Sequence, residues 1–217
     1  TCNMIYNSAN LEEGYPGNLK CNVQYKLDNK NQITIRFRAI SDRKTLVNLT
    51  NHNYWNFNGH NRHYNDISNH FVLISSDKYC EVNNELIPTG KILNVKKTKF
   101  DFTKFKQLNS NNLIDNNFIY KNNKKNKINK IVEVFSPTTR MGMILSSDQP
   151  GIQFYTGNNM EKKYNGKNSK FYGKQYGICF EPQKFPNAIN IKRFPNIIIN
   201  KGDVYKSTIK ILLKNNY

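Results

Sequence analysis

Acidic residues are scarce in this chain. Fifteen Asp and Glu stand against 33 Lys and Arg in 217 residues, for a net charge of +18. The surplus is mostly lysine, scattered along the chain rather than gathered on one helix or arm, and lysine lacks the fork that reads bases and phosphates. The balance therefore reads as a Lys/Asn compositional bias, and no nucleic-acid partner is expected. Cysteine is also sparse. Cys2, Cys21, Cys80 and Cys179 show neither CxxC nor Cys/His metal spacing, so no metal site is expected and buried free thiols are the default. No apolar run is long enough to span a membrane, and no segment reads as a signal peptide, which points to a cytoplasmic protein without membrane association. There is no Gly-rich phosphate loop, no GxSxG and no HExxH. No long stretch keeps a helical period.

The chain does hold enough apolar residues for one domain with a real core, at 37% hydrophobic and 12% aromatic. The pattern is strand after strand. Ile33, Ile35, Phe37 and Ala39 alternate with Thr34, Arg36 and Arg38, the period-2 mark of a half-buried strand. Asn22 to Leu27 reads as its hairpin partner across the turn Asp28-Asn29-Lys30-Asn31. Further strands are expected over Phe71–Ser75, Ile131–Phe135, Met141–Ser146, Gly151–Tyr155, Gly177–Glu181 and Lys206–Leu213. Tyr15-Pro16-Gly17, Ile87-Pro88-Thr89-Gly90, Ser136-Pro137 and Gln149-Pro150-Gly151 punctuate them. The expected fold is all-β, two packed antiparallel sheets in a single domain over residues 1–217. The tract Lys121 to Lys130 (KNNKKNKINK) is expected to be a disordered insertion.

Among these strands lies Asn51-His52-Asn53-Tyr54-Trp55-Asn56-Phe57, a histidine, a tyrosine and the single tryptophan set among amides. It follows a β-like run, Lys44 to Leu49, expected to hold it rigidly. Imidazole exchanges protons near neutral pH, and aromatic rings beside amides suit a polar ring with hydroxyls. A lone histidine near aromatics is more commonly structural, so the residues alone leave both roles open. Glu181 closes the apolar run Tyr176-Gly177-Ile178-Cys179-Phe180, and Pro182 is expected to end that strand. A buried carboxylate there is either a general base of raised proton affinity or the partner of a nearby Lys or Arg. Asp115, in Ile114-Asp115-Asn116-Asn117-Phe118, suits a turn better than a sugar hydroxyl. Gln153 could orient a ligand or satisfy backbone groups. His60, His63 and His70 fall in a polar stretch and are expected to be solvated. Asn48-Leu49-Thr50 fits a glycosylation sequon inside an apparent strand.

Taken in order, these segments resemble the aldose 1-epimerase (galactose mutarotase) family. The match runs through Glu13-Gly14-Tyr15-Pro16-Gly17-Asn18-Leu19, Asn48 to Phe57, Leu86-Ile87-Pro88-Thr89-Gly90, Phe100-Asp101-Phe102 and Ile114 to Phe118. It continues through Gly151-Ile152-Gln153-Phe154-Tyr155-Thr156-Gly157-Asn158, Glu181-Pro182-Gln183, Phe185-Pro186-Asn187-Ala188-Ile189-Asn190 and Phe194-Pro195. The resemblance implies an antiparallel β-supersandwich and the interconversion of α and β anomers of aldohexoses such as glucose and galactose, without metal or cofactor. It implies Glu181 as general base, His52 as general acid, Asp115 and Gln153 as sugar-binding residues, and Tyr54 as a wall of the sugar site. The family also carries an Arg and an Asn-x-Leu-His-Gly-Gly motif nearer its N-terminus, and neither is present here. Asn116 stands where a His often follows the motif aspartate. The chain starts at Thr1, about where the family's first third ends. A fragment of a longer protein, a processed product with an associated N-terminal segment, and a degenerate sugar-binding relative are the three expectations, the first favoured. A relative acting on hexose 6-phosphates is a further alternative, although no Arg cluster marks a phosphate site.

Overall fold

In the computed structural model, residues 1–60, 66–120, 127–161 and 166–217 are described. Their strands are β1 (Cys2–Ser8), β2 (Leu19–Leu27), β3 (Gln32–Ser41), β4 (Thr45–Leu46), β5 (Phe71–Ile74), β6 (Lys78–Val82), β7 (Pro88–Asn94), β8 (Lys106–Gln107), β9 (Asp115–Ile119), β10 (Asn129–Phe135), β11 (Met141–Ser147), β12 (Gly151–Tyr155), β13 (Cys179–Gln183), β14 (Ile198–Ile199) and β15 (Val204–Asn215). Helix is confined, among the described residues, to two short 3-10 turns, Glu12–Gly14 and Lys167–Ser169.

Eight strands form one antiparallel sheet in the order β1-β2-β3-β15-β11-β10-β5-β8. Five form a second in the order β13-β12-β9-β6-β7, and β14 pairs with β4. The β2–β3 hairpin runs in register from Leu19↔Ser41 to Leu27↔Ile33. Its turn is set by Asp28, whose carboxylate accepts the N–H groups of Lys30 at 2.9 Å and Gln32 at 3.0 Å. The pleat sorts side chains between faces. Ile35 and Phe37 of β3, Ile209 and Ile211 of β15 and Met143 and Leu145 of β11 turn inward. They share one core with Phe118 of β9, Ile152 and Phe154 of β12 and Phe180 of β13. Phe154 stacks on Phe180 at 5.0 Å and meets Phe102 edge-on at 5.3 Å. A smaller cluster of Cys80, Phe185, Ala188 and Phe194 covers part of the five-stranded sheet elsewhere.

Prolines account for two departures from the sequence reading. Pro182 does not end its strand but lies inside β13, opposite Ile152, and Pro88 opens β7 rather than closing a turn. β13 and β7 are the two edges of the five-stranded sheet, where a missing N–H is tolerated. The run Lys44 to Leu49 is strand only over Thr45–Leu46, so the sequon lies outside any strand. In the Lys/Asn tract, 121–126 lie outside the described residues, while Asn129 and Lys130 open β10 by pairing with Ser147 and Ser146. His70 is fully buried rather than solvated, because its Nε2 accepts the Phe57 N–H at 2.9 Å. His60 is half-buried against Tyr172, and His63 lies outside the described residues. No cysteine is in a disulfide; Cys2 is exposed and the other three are buried.

Candidate active site

The site is assembled on the outer face of the β9–β12–β13 ladder. Register places Gln153 opposite both Glu181 and Asn117, and Tyr155 opposite both Cys179 and Asp115. Directly opposed residues point the same way, so these six side chains share one face while Phe118, Ile152, Phe154 and Phe180 fill the core behind. Asp115 is therefore the first residue of β9, not a turn. Gln153 Nε2 donates to Asp115 Oδ1 at 2.7 Å, leaving Gln153 Oε1 buried with no partner among the described residues.

The segment carrying His52 has almost no regular structure, yet it is fastened along its length. Asn48 exchanges two bonds with the Lys184 backbone, at 3.0 and 2.9 Å. Thr50 Oγ1 donates to Pro182 O at 2.9 Å, and Asn51 Nδ2 to the Tyr25 hydroxyl at 2.9 Å. Trp55 and Ile178 exchange both backbone bonds as an isolated antiparallel bridge, at 2.8 and 2.9 Å. Side-chain bonds to the β13 edge thus replace the strand that the sequence suggested.

This brings His52 Nε2 to 3.6 Å from Glu181 Oε1. The separation permits charge attraction but is too long for a hydrogen bond. The two environments differ sharply: the Glu181 side chain is 10% exposed and the His52 side chain 51%. Burial pushes the Glu181 carboxyl above its ordinary 4.5; the His52 imidazole opposes that shift and the Asp115 charge adds to it. The partner of Glu181 is an imidazole rather than the Lys or Arg that a structural carboxylate would take. The ring of Tyr54 lies 5.1 Å from His52, and that of Tyr155 stands edge-on to Tyr54 at 6.3 Å. Burial raises both phenols and the Cys179 thiol above their ordinary values, so all three remain protonated donors at neutral pH.

Thus the structure brings together all five residues singled out from the sequence: His52, Tyr54, Asp115, Gln153 and Glu181. Sequence reasoning missed Tyr155, Asn117 and Cys179 on the same face, although alternation along Gln153-Phe154-Tyr155 and Cys179-Phe180-Glu181 carries that signal. Among the described residues, no group of three His, Cys, Asp or Glu is arranged to hold a metal ion. A cleft of about 600 Å³ adjoins the site, sharing Tyr54 but not His52 or Glu181.

The site is thus a buried carboxylate facing an exposed imidazole on a two-sheet antiparallel β protein, two groups of the kind that can exchange protons. The chain belongs to the aldose 1-epimerase family, whose sequence model matches residues 1–212. It is 39% identical to galactose mutarotase of Rattus norvegicus and 37% identical to that of Homo sapiens, in each case over 93% of this chain and 59% of the relative. The chain thus spans about three-fifths of the length of these curated relatives. Among solved structures it is similar to an aldose epimerase homologue from C. elegans, with a TM-score of 0.90 and 27% identity, over 99% of this chain and 66% of that one. It is also similar to the galactose 1-epimerase from Lactobacillus acidophilus, with a TM-score of 0.82 and 26% identity, over 99% and 63%.

Proposed function

We propose that the protein carrying this chain is an aldose 1-epimerase, interconverting the α and β anomers of aldohexoses such as galactose and glucose. The observation that carries the reading is the His52–Glu181 pair at 3.6 Å, one member buried and the other open to solvent. The ring oxygen and the anomeric hydroxyl of a hexose are bonded to the same carbon. An acid and a base only a few ångströms apart can therefore reach both.

Ionised Glu181 removes the proton from the anomeric hydroxyl while the His52 imidazolium protonates the ring oxygen. The C1–O5 bond breaks as C1=O forms, leaving an open-chain aldehyde, a neutral imidazole and a protonated carboxyl. Rotation about C1–C2 turns the other carbonyl face to the C5 hydroxyl, and the proton transfers run backwards. The raised proton affinity of Glu181 brings its basicity closer to that of the group it must deprotonate. Asp115 and the unpartnered Gln153 Oε1 offer acceptors to sugar hydroxyls, and Tyr54 and Tyr155 offer ring faces and donors.

Polarimetry on fresh α-D-galactose and α-D-glucose tests the assignment. The intact protein accelerates the loss of rotation, and Glu181→Gln lowers kcat by about 10²–10⁴-fold. Wild-type rates in that variant would remove Glu181 as the base.

A further inference from the structure

Lysines and arginines that lie scattered along the sequence are gathered by the large sheet. β1, β2, β3, β15 and β11 stand side by side in it, and no Asp or Glu lies in any of them. Cys21, Ile35, Phe37, Ile209 and Ile211 point into the core, so the pleat turns the residues between them to the outer face. Every Lys and Arg of these strands falls at an outward position. Lys20, Lys26, Arg36, Arg38 and Lys206 are exposed and Lys210 is half-buried. Register sets Arg38 directly opposite Lys206, and Lys26 and Lys210 on either side of Thr34. Arg36 Nη1 donates to Gln24 Oε1 at 3.0 Å and Gln24 Nε2 to Asn3 Oδ1 at 3.1 Å, so polar contacts run on to the sheet edge. Among the described residues, none of these basic groups has a carboxylate within ion-pair distance. The nearest strand with an acid is β10, where Lys130 already pairs with Glu133.

Like charges directly opposed across a ladder are unfavourable. A face that keeps them without a counter-charge is complementary to an anionic surface. We propose that this outer face docks the protein on a bilayer containing anionic phospholipid. A plane fits it better than a nucleic-acid strand does. The charge spreads across three neighbouring strands, about 10 Å, and from Lys20 to Lys26 along β2, about 20 Å, rather than following one track. No aromatic side chain occupies an outward position in these strands, so bases would find no ring to stack on. Ile5, 61% exposed, and Val204, 43% exposed, stand on the same face, and apolar side chains among basic ones suit the headgroup region. The His52–Glu181 pair lies on the outer face of the other sheet, across the shared core, so docking leaves it open to solvent.

Sedimentation with vesicles makes the test. The intact protein co-sediments with phosphatidylcholine vesicles in which about a third of the lipid is phosphatidylserine, does not with phosphatidylcholine alone, and is released by salt. Each basic group near such a surface is worth about a factor of five in partitioning. The triple variant Arg36→Gln, Arg38→Gln, Lys206→Gln therefore binds about 10²-fold more weakly. A second triple variant, Lys96→Gln, Lys99→Gln, Lys104→Gln, removes the same charge from exposed positions around β7 and β8 and keeps most of the binding. Melting temperatures check that both are folded; loss of the Arg38–Lys206 opposition should not lower that of the first. No binding to the anionic vesicles, or equal losses in the two variants, overturns the docking face. RNA that displaces the protein from the vesicles at equal phosphate concentration also overturns it, and assigns the face to nucleic acid instead.

Discussion

Glu181 is a residue held in a costly state. Its carboxylate is buried with a single imidazole for charge compensation, and a second carboxylate, Asp115, raises its proton affinity further. The folded chain therefore binds this proton more tightly than the unfolded chain does. The stability contributed by Glu181 is present at acid pH and is lost as pH rises from its ordinary 4.5 through the raised folded value. Glu181→Gln, which is always neutral, should thus melt higher than the wild type at pH 7, with the gain shrinking towards pH 4. Thermal unfolding across that range checks it; a variant less stable at pH 7 would mean that the carboxylate is structural. His70 has the opposite sign. Burial pushes its imidazole down to about 4, so its contribution is present at neutral pH and fades as pH falls from 6.5 to about 4. The glutamine and the glutamate were visible in the sequence on expected strands, whereas the aspartate read as a turn and proves to open β9. Their convergence was not visible, because it depends on which strands pair and in which register.

At the scale of elements, the segment carrying His52 depends on bonds that no propensity scale records. Residues 48–57 are held to the β13 edge by Asn48, Thr50 and the Trp55–Ile178 bridge. Thr50→Val keeps shape and removes the hydroxyl that binds Pro182 O. The expected result is a fall in kcat of up to about 10²-fold from misplacement of His52, with little change in global melting temperature. Unchanged kinetics would show that the remaining anchors suffice. The long, regular elements were legible from alternation alone: the β2–β3 hairpin, β10, β11, β12 and β15. β9 escaped because polar Asn116 and Asn117 occupy buried positions there, and β7 because its proline reads as a stop.

At the scale of the molecule, one apolar core backs the site. Phe154 is fully buried, stacked on Phe180 and edge-on to Phe102, and it precedes Tyr155 and follows Gln153 on the opposite face. Phe154→Ala should cost about 3–5 kcal/mol and lower activity together with stability, measured by denaturant unfolding beside polarimetry. A stable but inactive variant would show instead that the core acts on the site through its register. The sequence by itself determined the fold class and the main hairpin, because alternation is a local property, and its family resemblance singled out the five candidate site residues. Only the tertiary structure decided that Pro88 and Pro182 sit on sheet edges, that His70 is buried and neutral, and that His52 meets Glu181 across 129 positions of chain. Each of those depends on pairing between distant strands, and hydrogen-bond register across a sheet is a property of two segments that neither one encodes alone.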